Sequence, residues 1–312
     1  MPDLKFGRRK PDPQHALRAI LFKDILKAVP VHPVSVDYLT VLSHWKMLGN
    51  DTYGDCVAVA WANSRRFFSA ELARKEYYPT QQQVFDVYRT QNPNFPNQDD
   101  GMDFQTLLEY LNKTGGPDGV KCLAFAKVDQ TNLEEVKAAL YIFGGILLGM
   151  DVQQENIDDF NAGAVWTYHT KGTLAGGHGV LAGGYLGQLS NDVHCITWGE
   201  ETGLTDSFWS HLVSNADGEC WVVIWPENLG TQQFVDGIDY AALAKAYNEL
   251  TGRVLPPAPN PTPAPPPVPT PQPPPANVPQ WLIDLLNELL TIKGLPKWVV
   301  SVIKAILVSV GG

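Results

Sequence analysis

The chain has 312 residues, 44% of them hydrophobic, and sets 23 Lys+Arg against 33 Asp+Glu for a formal net charge of −10. A chain so long and so apolar can bury a sizeable core, which excludes wholesale disorder. The negative balance excludes a general nucleic-acid binder, which needs surplus Lys and Arg to neutralise phosphates, and four cysteines are too few for a disulfide scaffold.

Residues 1–35 read as an N-terminal extension. They mix Arg8, Arg9, Lys10 and Pro11 with an apolar stretch around Ala19 to Leu26 that Lys23 and Asp24 interrupt. A secretory signal needs an unbroken apolar segment, so none is expected here. Met1 to His32 is also short and lacks the long helical pattern of an inhibitory pro-segment. No apolar run of the body could span a bilayer. The expected location is cytoplasmic, or wherever the protein is released without a signal peptide.

Residues 36–254 carry the pattern of one folded domain, helical first and strand-rich later. Cys56 to Lys75 has few breakers and precedes Tyr77, Tyr78 and Pro79, which predicts one long helix ending near Glu76. Pro79 to Tyr88 and Asp103 to Asn112 read as two more helices, the second stopped by Thr114, Gly115, Gly116 and Pro117. Asn132 to Tyr141 is another, and Gly145 to Val152 is a buried strand. Gly179 to Tyr185, Val193 to Trp198 and Trp221 to Trp225 are short apolar runs bounded by Gly, Asn or Asp, as in a small antiparallel sheet or barrel. Helices segregated before strands predict an α+β fold.

Of the 25 prolines, more than half fall between Pro256 and Pro279. Each ring fixes φ and removes an N–H. Residues 255–279 therefore read as an extended linker of roughly 3 Å per residue, about 70 Å at full stretch, and as a docking site for a proline-recognising domain in the alternative. Residues 280–312 read as an amphipathic helical tail. Its first helix carries Trp281, Leu282, Leu285, Leu286, Leu289 and Leu290 on one stripe. Its second, Trp298 to Val310, is too short to cross a membrane comfortably. The tail would self-associate, dock on a protein partner or lie at a membrane surface.

Cys56 alone among the cysteines sits at the start of a long helix, behind the turn-forming run Gly49 to Asp55. Helix N-terminal amides favour a thiolate there, so Cys56 is a candidate nucleophile; the alternative is a small buried apolar residue. His178 stands in the run Gly176, Gly177, His178, Gly179, whose glycines let another backbone approach closely. A thiolate on a helix and an imidazolium on a strand are the pair that activates cysteine hydrolases. Cys195 and Cys220 read as core residues, His194 and His211 as ordinary edge or surface residues, and no Cys or His pair has metal-ligand spacing.

These residues resemble the papain-like cysteine peptidases, in order over roughly Val36 to Val223. Val36, Asp37 and Tyr38 are similar to the family's Val-Asp-Trp, and Gly54, Asp55 and Cys56 to its Gly-Ser-Cys. Gly101 and Met102 are similar to its Gly-Gly segment. His178 to Tyr185 resembles His-Gly-Val-x-x-x-Gly-Tyr, and Thr197, Trp198 and Gly199 fall on Ser-Trp-Gly. The resemblance implies a helical subdomain carrying Cys56 packed on a small antiparallel sheet or barrel carrying His178. It implies a peptidase or amidase without cofactor or metal, with Asn50 at the oxyanion-hole glutamine and Trp198 shielding the imidazole. The family's orienting asparagine falls on Ile196, which cannot hold an imidazole. Thr197 takes that role only after a shift of register, and the alternation of strand side chains makes it a weak replacement. A peptide-binding module without catalysis, and a thiol acyl transferase using the same residues, stay open.

Overall fold

The computed structural model describes residues 4–28 and 30–258, and beyond them residues 285, 286, 288–290, 300 and 303. The linker expected over 255–279 lies almost wholly outside the described residues, as does most of the expected tail. The chain divides into two compact units, Met1–Thr262 and Pro263–Gly312. In the second, the described residues are helical, with Leu286 and Ile303 buried and Leu285 exposed.

The first unit is built around one helix, α1 (Cys56–Glu71), in which every residue from Cys56 to Ser69 is buried. A helix that is buried all round needs partners on every side. It ends five residues earlier than the sequence predicts. Leu72 caps it, Arg74 takes a left-handed φ of 53°, and the Ser69 hydroxyl accepts from the Tyr77 amide at 2.8 Å, which folds the polar run back along the helix. Two arginines inside α1 are paired with carboxylates. Arg65 pairs with Asp118 and Glu227, each at 3.0 Å, and Arg66 with Glu76 at 2.7 Å.

Helices α2 (Gln81–Tyr88), α3 (Phe104–Lys113) and α4 (Leu133–Phe143) stand where the sequence places them, each opened by a side-chain cap from Thr80, Asp103 and Asn132. Helices α5 (Gln154–Asn161) and α6 (Tyr240–Thr251) complete the longer ones.

Eight strands form one sheet: β1 (Ile20–Leu21), β2 (Val36–Asp37), β3 (Ala124–Val128), β4 (Ile146–Gln153), β5 (Leu174–Tyr185), β6 (Val193–Thr197), β7 (Glu200–Leu204) and β8 (Glu219–Ile224). Their order is β1-β3-β8-β4-β5-β6-β7, with β2 pairing β5. Only β1 and β3 run parallel among these pairings. The α+β class expected from the sequence is the one observed. β4 is buried along its whole length, and α1 lies along β5. Gly179 permits that approach, because a Cβ there would stand 2.8 Å from the Phe104 ring and 3.1 Å from Val57.

β5 begins at Leu174, five residues before the predicted start, so His178 is a mid-strand residue opposite Met150 and not at the strand's head. Apolar patterning misses this segment because Gly176, Gly177 and His178 interrupt it. Thr197 and Glu200 close the β6–β7 hairpin around Trp198 (φ 45°) and Gly199 (φ 78°). Two positive φ values suit the right-handed twist of the flanking strands, but a bulky side chain in that region is strained. The hairpin holds Trp198 in that conformation.

Candidate active site

Cys56 opens α1 and His178 stands in the middle of β5, the strand that α1 packs against, and each is only 1% exposed. The Cys56 thiol lies against the backbone amides of Gly179, the residue after His178, and of Gly7. His178 offers Nε2 to the Thr197 hydroxyl at 2.7 Å. Its Nδ1 is buried without a hydrogen-bond partner among the described residues.

Thr197, expected to be a weak replacement for an orienting asparagine, is the residue that meets the imidazole. Strand alternation explains it. Leu181 pairs with Ile196, so those two side chains share one face of the sheet. One residue further on, Thr197 turns to the opposite face, which His178 shares with Val180 and Ala182. Ile196 is buried in the core, as its apolar side chain requires.

Aromatic rings enclose the imidazole. The Trp198 indole lies 4.6 Å from His178, centroid to centroid, at 30°. Phe6 stands edge-on to both rings at 5.6 Å, and Trp166 is 5.6 Å from Trp198. The strained turn at Trp198 places a ring over the histidine. Trp166 and Phe6 were not legible as site residues in the sequence, since nothing near them carries a motif.

The largest departure from the sequence reading is the N-terminus itself. Residues 4–10, from which no inhibitory segment is expected, run as a strap through the cleft between α1 and β5. Its backbone bonds to both walls. On one side the Lys5 amide donates to Asn50 O at 3.2 Å, Met102 N donates to Gly7 O at 2.8 Å, and Arg9 N donates to Met102 O at 2.8 Å. On the other, Gly7 and Arg8 both donate to Gly177 O, at 3.2 and 3.0 Å. Glycines make the fit. A Cβ on Gly7 would stand 1.8 Å from Gly54 O, one on Gly101 2.0 Å from Gly7 O, and one on Gly177 2.4 Å from Arg8 O. The close backbone approach read from the glycines beside His178 is realised by the strap.

Asn50 donates its side-chain N–H to Tyr53 O at 3.0 Å and reaches the strap's Lys5 O at 3.4 Å. Trp198 Nε1 reaches the same carbonyl at 3.4 Å.

Beyond Gly7 the Arg8 side chain is wholly buried. Its Nη1 donates to Glu219 at 3.1 Å, and Nη2 lies 3.6 Å from Asp151. The second oxygen of Glu219 accepts from Trp221 Nε1 at 2.7 Å. Gly149 floors this pocket, since a Cβ there would press on Arg8 Cδ at 2.6 Å. The basic cluster around Arg8 was visible in the sequence, but its partners lie more than 140 residues away.

Electrostatics follow burial. Desolvation pushes the Cys56 thiol up to about 11, against the favourable amides of Gly179 and Gly7. Desolvation, then the Arg8 charge, holds His178 down to about 3. The thiolate–imidazolium pair expected from the helix position is therefore not the form of the strapped site. Both groups are neutral because burial outweighs the helix N-terminus. Beside Cys56, burial raises the Asp55 carboxyl to about 8.

Cys122, Cys195 and Cys220 are free and buried, and burial raises each thiol further from reactivity. Among the described residues no cluster of His, Cys, Asp and Glu is suited to a metal, and no helix is long and apolar enough to cross a membrane.

No protein-family model and no curated protein matches the chain. Solved structures do. Xylellain, a cysteine protease from Xylella fastidiosa, superposes with a TM-score of 0.56 at 17% identity, over 71% of this chain and 96% of that one. Digestive procathepsin L2 proteinase from the larval midgut of Tenebrio molitor superposes with a TM-score of 0.51 at 16% identity, over 72% of this chain and 79% of that one. The first unit of this chain thus has the papain-like fold, the architecture of the cysteine proteases it resembles.

Proposed function

We propose that the protein is a cysteine-dependent hydrolase of peptide or related amide bonds, held latent by its own N-terminal strap. The observation that carries the reading is the Thr197 contact at 2.7 Å. It gives a buried histidine, beside a helix-borne cysteine, the orienting hydroxyl that its fold position lacks at Ile196. With Nε2–H donating to Thr197, Nδ1 keeps its lone pair for the thiol proton.

Once the strap leaves the cleft, water reaches both groups and the cost of charge separation falls. The Cys56 thiol then passes its proton to His178, and the sulfur attacks the substrate carbonyl carbon. The negative oxygen of the tetrahedral intermediate accepts from the Cys56 backbone N–H and the Asn50 amide. As the C–N bond breaks, His178 returns the proton to the leaving amine. Water, deprotonated by His178, then attacks the thioester carbonyl, and the acid departs with the thiol restored. Trp198 keeps bulk water off the imidazole.

The test is digestion of a denatured protein by the full chain carrying Gly7→Ala, which drives a methyl group into the Gly54 carbonyl. Cleavage abolished by Cys56→Ala and by His178→Ala is the expected result. Cleavage that survives Cys56→Ala, or none at all once Cys56 is shown to be solvent-reactive, contradicts it.

A further inference from the structure

The buried guanidinium of Arg8 marks a pocket that outlives the strap. Its acidic groups belong to the sheet: Glu219 opens β8, where the Trp221 indole fixes it, and Asp151 lies in β4. Gly149 leaves open the volume that Arg8 Cδ fills. When the strap departs, Glu219 becomes a buried carboxylate without its cation, a costly state that an incoming cation relieves. A neutral side chain would leave it unpaired.

The strap also fixes which substrate residue enters. It runs from Trp198 and His178, at Lys5 and Phe6, past Cys56 at Gly7, to the pocket at Arg8. A cleavable peptide must present its leaving amine to His178, the proton donor, so its C-terminal part lies on the Trp198 side. Its chain direction is then opposite to that of the strap. The residue whose carbonyl is attacked sits over Cys56, and the residue before it reaches Glu219 and Asp151. The same argument explains how the strap can lie across a nucleophile without being a substrate: its amide groups face the site in reversed order.

We infer that the enzyme cleaves peptides carrying arginine, or another cationic side chain, at the second position on the N-terminal side of the scissile bond, with Glu219 and Asp151 as the specificity-determining pair. This rests on the hydrolase reading above and adds the substrate class to it.

The experiment uses the full-length protein and two acetyl-dipeptidyl chloromethyl ketones, Arg-Ala and Leu-Ala, which differ only in the side chain offered to the pocket. In the reaction the Cys56 sulfur forms a bond to the methylene carbon and chloride leaves; intact mass and peptide mapping read the rate. Both probes wait for the same opening of the strap, so the ratio of their rates reports the pocket alone. The Arg probe should alkylate Cys56 faster by about tenfold or more, in line with a hydrogen bond to a buried charge. Glu219→Gln should bring the ratio close to one, and Asp151→Asn, at a less buried site, should lower it part of the way. A ratio near one in the unaltered protein, or a ratio unchanged by both substitutions, overturns the inference. Equal alkylation by both probes would do so while leaving the Cys56 nucleophile intact, whereas failure of both probes, with the cleft open in Gly7→Ala, overturns the hydrolase reading as well.

Discussion

At the scale of single residues, the site turns on which face of β6 a side chain occupies. Ile196 stands opposite Leu181 in the core, and Thr197 reaches His178 from the other face. Thr197→Ala, measured as kcat on a peptide cleaved by the strap-free enzyme, should cost up to about 10⁴-fold, the loss seen when an orienting acceptor is removed from a serine triad. Thr197→Asn should retain much of the rate, because its amide oxygen accepts the same hydrogen bond. Ile196→Val, a small change in core volume, should leave kcat unchanged and cost about 1 kcal/mol of stability by denaturant unfolding. Equal losses for Thr197→Ala and Ile196→Val would remove Thr197 from its positioning role. Cys56, His178 and Trp198 were legible as residues, because their types and neighbours carry chemistry wherever the chain puts them. Thr197 was legible only as an alternative: alternation decides the face, and alternation cannot be counted until the partner strand and its register are known.

The strap is the element on which the proposed latency rests. Its seat is specified by backbone hydrogen bonds and by glycines at 7, 54, 101 and 177, so it leaves no hydrophobic period to read. The sequence showed a short, basic, helix-poor N-terminus, and those same properties suit an extended segment lying in a cleft. Arg8→Ala should loosen it by removing the buried partner of Glu219. In hydrogen exchange, the Gly7 and Arg8 amides should lose protection in that variant, while amides of β8 keep theirs. Protection unchanged at Gly7 would mean that the backbone bonds alone hold the strap. Among the helices and strands, the segments read from the sequence were placed to within five residues, but α6, twelve residues long, was not read. β3 and β7 were not predicted, being five residues each with mixed composition.

For the molecule as a whole, the burial of His178 and Asp55 makes stability depend on pH. The strapped site lowers His178 from its ordinary 6.5 to about 3, so its contribution to stability is present above 6.5 and is lost as pH falls towards and through 3. Asp55 acts in the other direction. Raised from 3.8 to about 8, it contributes stability that is full below 3.8 and lost as pH rises through 8. The two slopes offset each other between 3.8 and 6.5, so thermal midpoints should decline on both sides of an acidic to weakly acidic plateau. Asp55→Asn should flatten the alkaline decline and leave the acid one in place. An alkaline decline as steep in Asp55→Asn as in the parent would show that Asp55 titrates as an ordinary surface carboxyl. The papain-like architecture itself was legible from an ordered series of short motifs over roughly 190 residues, none decisive alone. The acidic pocket around Arg8 was not, because Asp151 and Glu219 come together only when β4 pairs with β8.

The central claim is that Cys56 and His178 form a nucleophilic pair that the strap keeps idle. It is tested most directly by the rate of iodoacetamide alkylation at Cys56, followed from acid to mildly alkaline pH in the parent and in Gly7→Ala. The parent should react slowly throughout. Gly7→Ala should react faster by about tenfold or more, with a thiol titrating well below the ordinary value of about 8.5, and His178→Ala in that background should return the titration towards it. Alkylation of Cys56 no faster than that of Cys122 in Gly7→Ala, or a pH profile that His178→Ala leaves unchanged, would contradict the account.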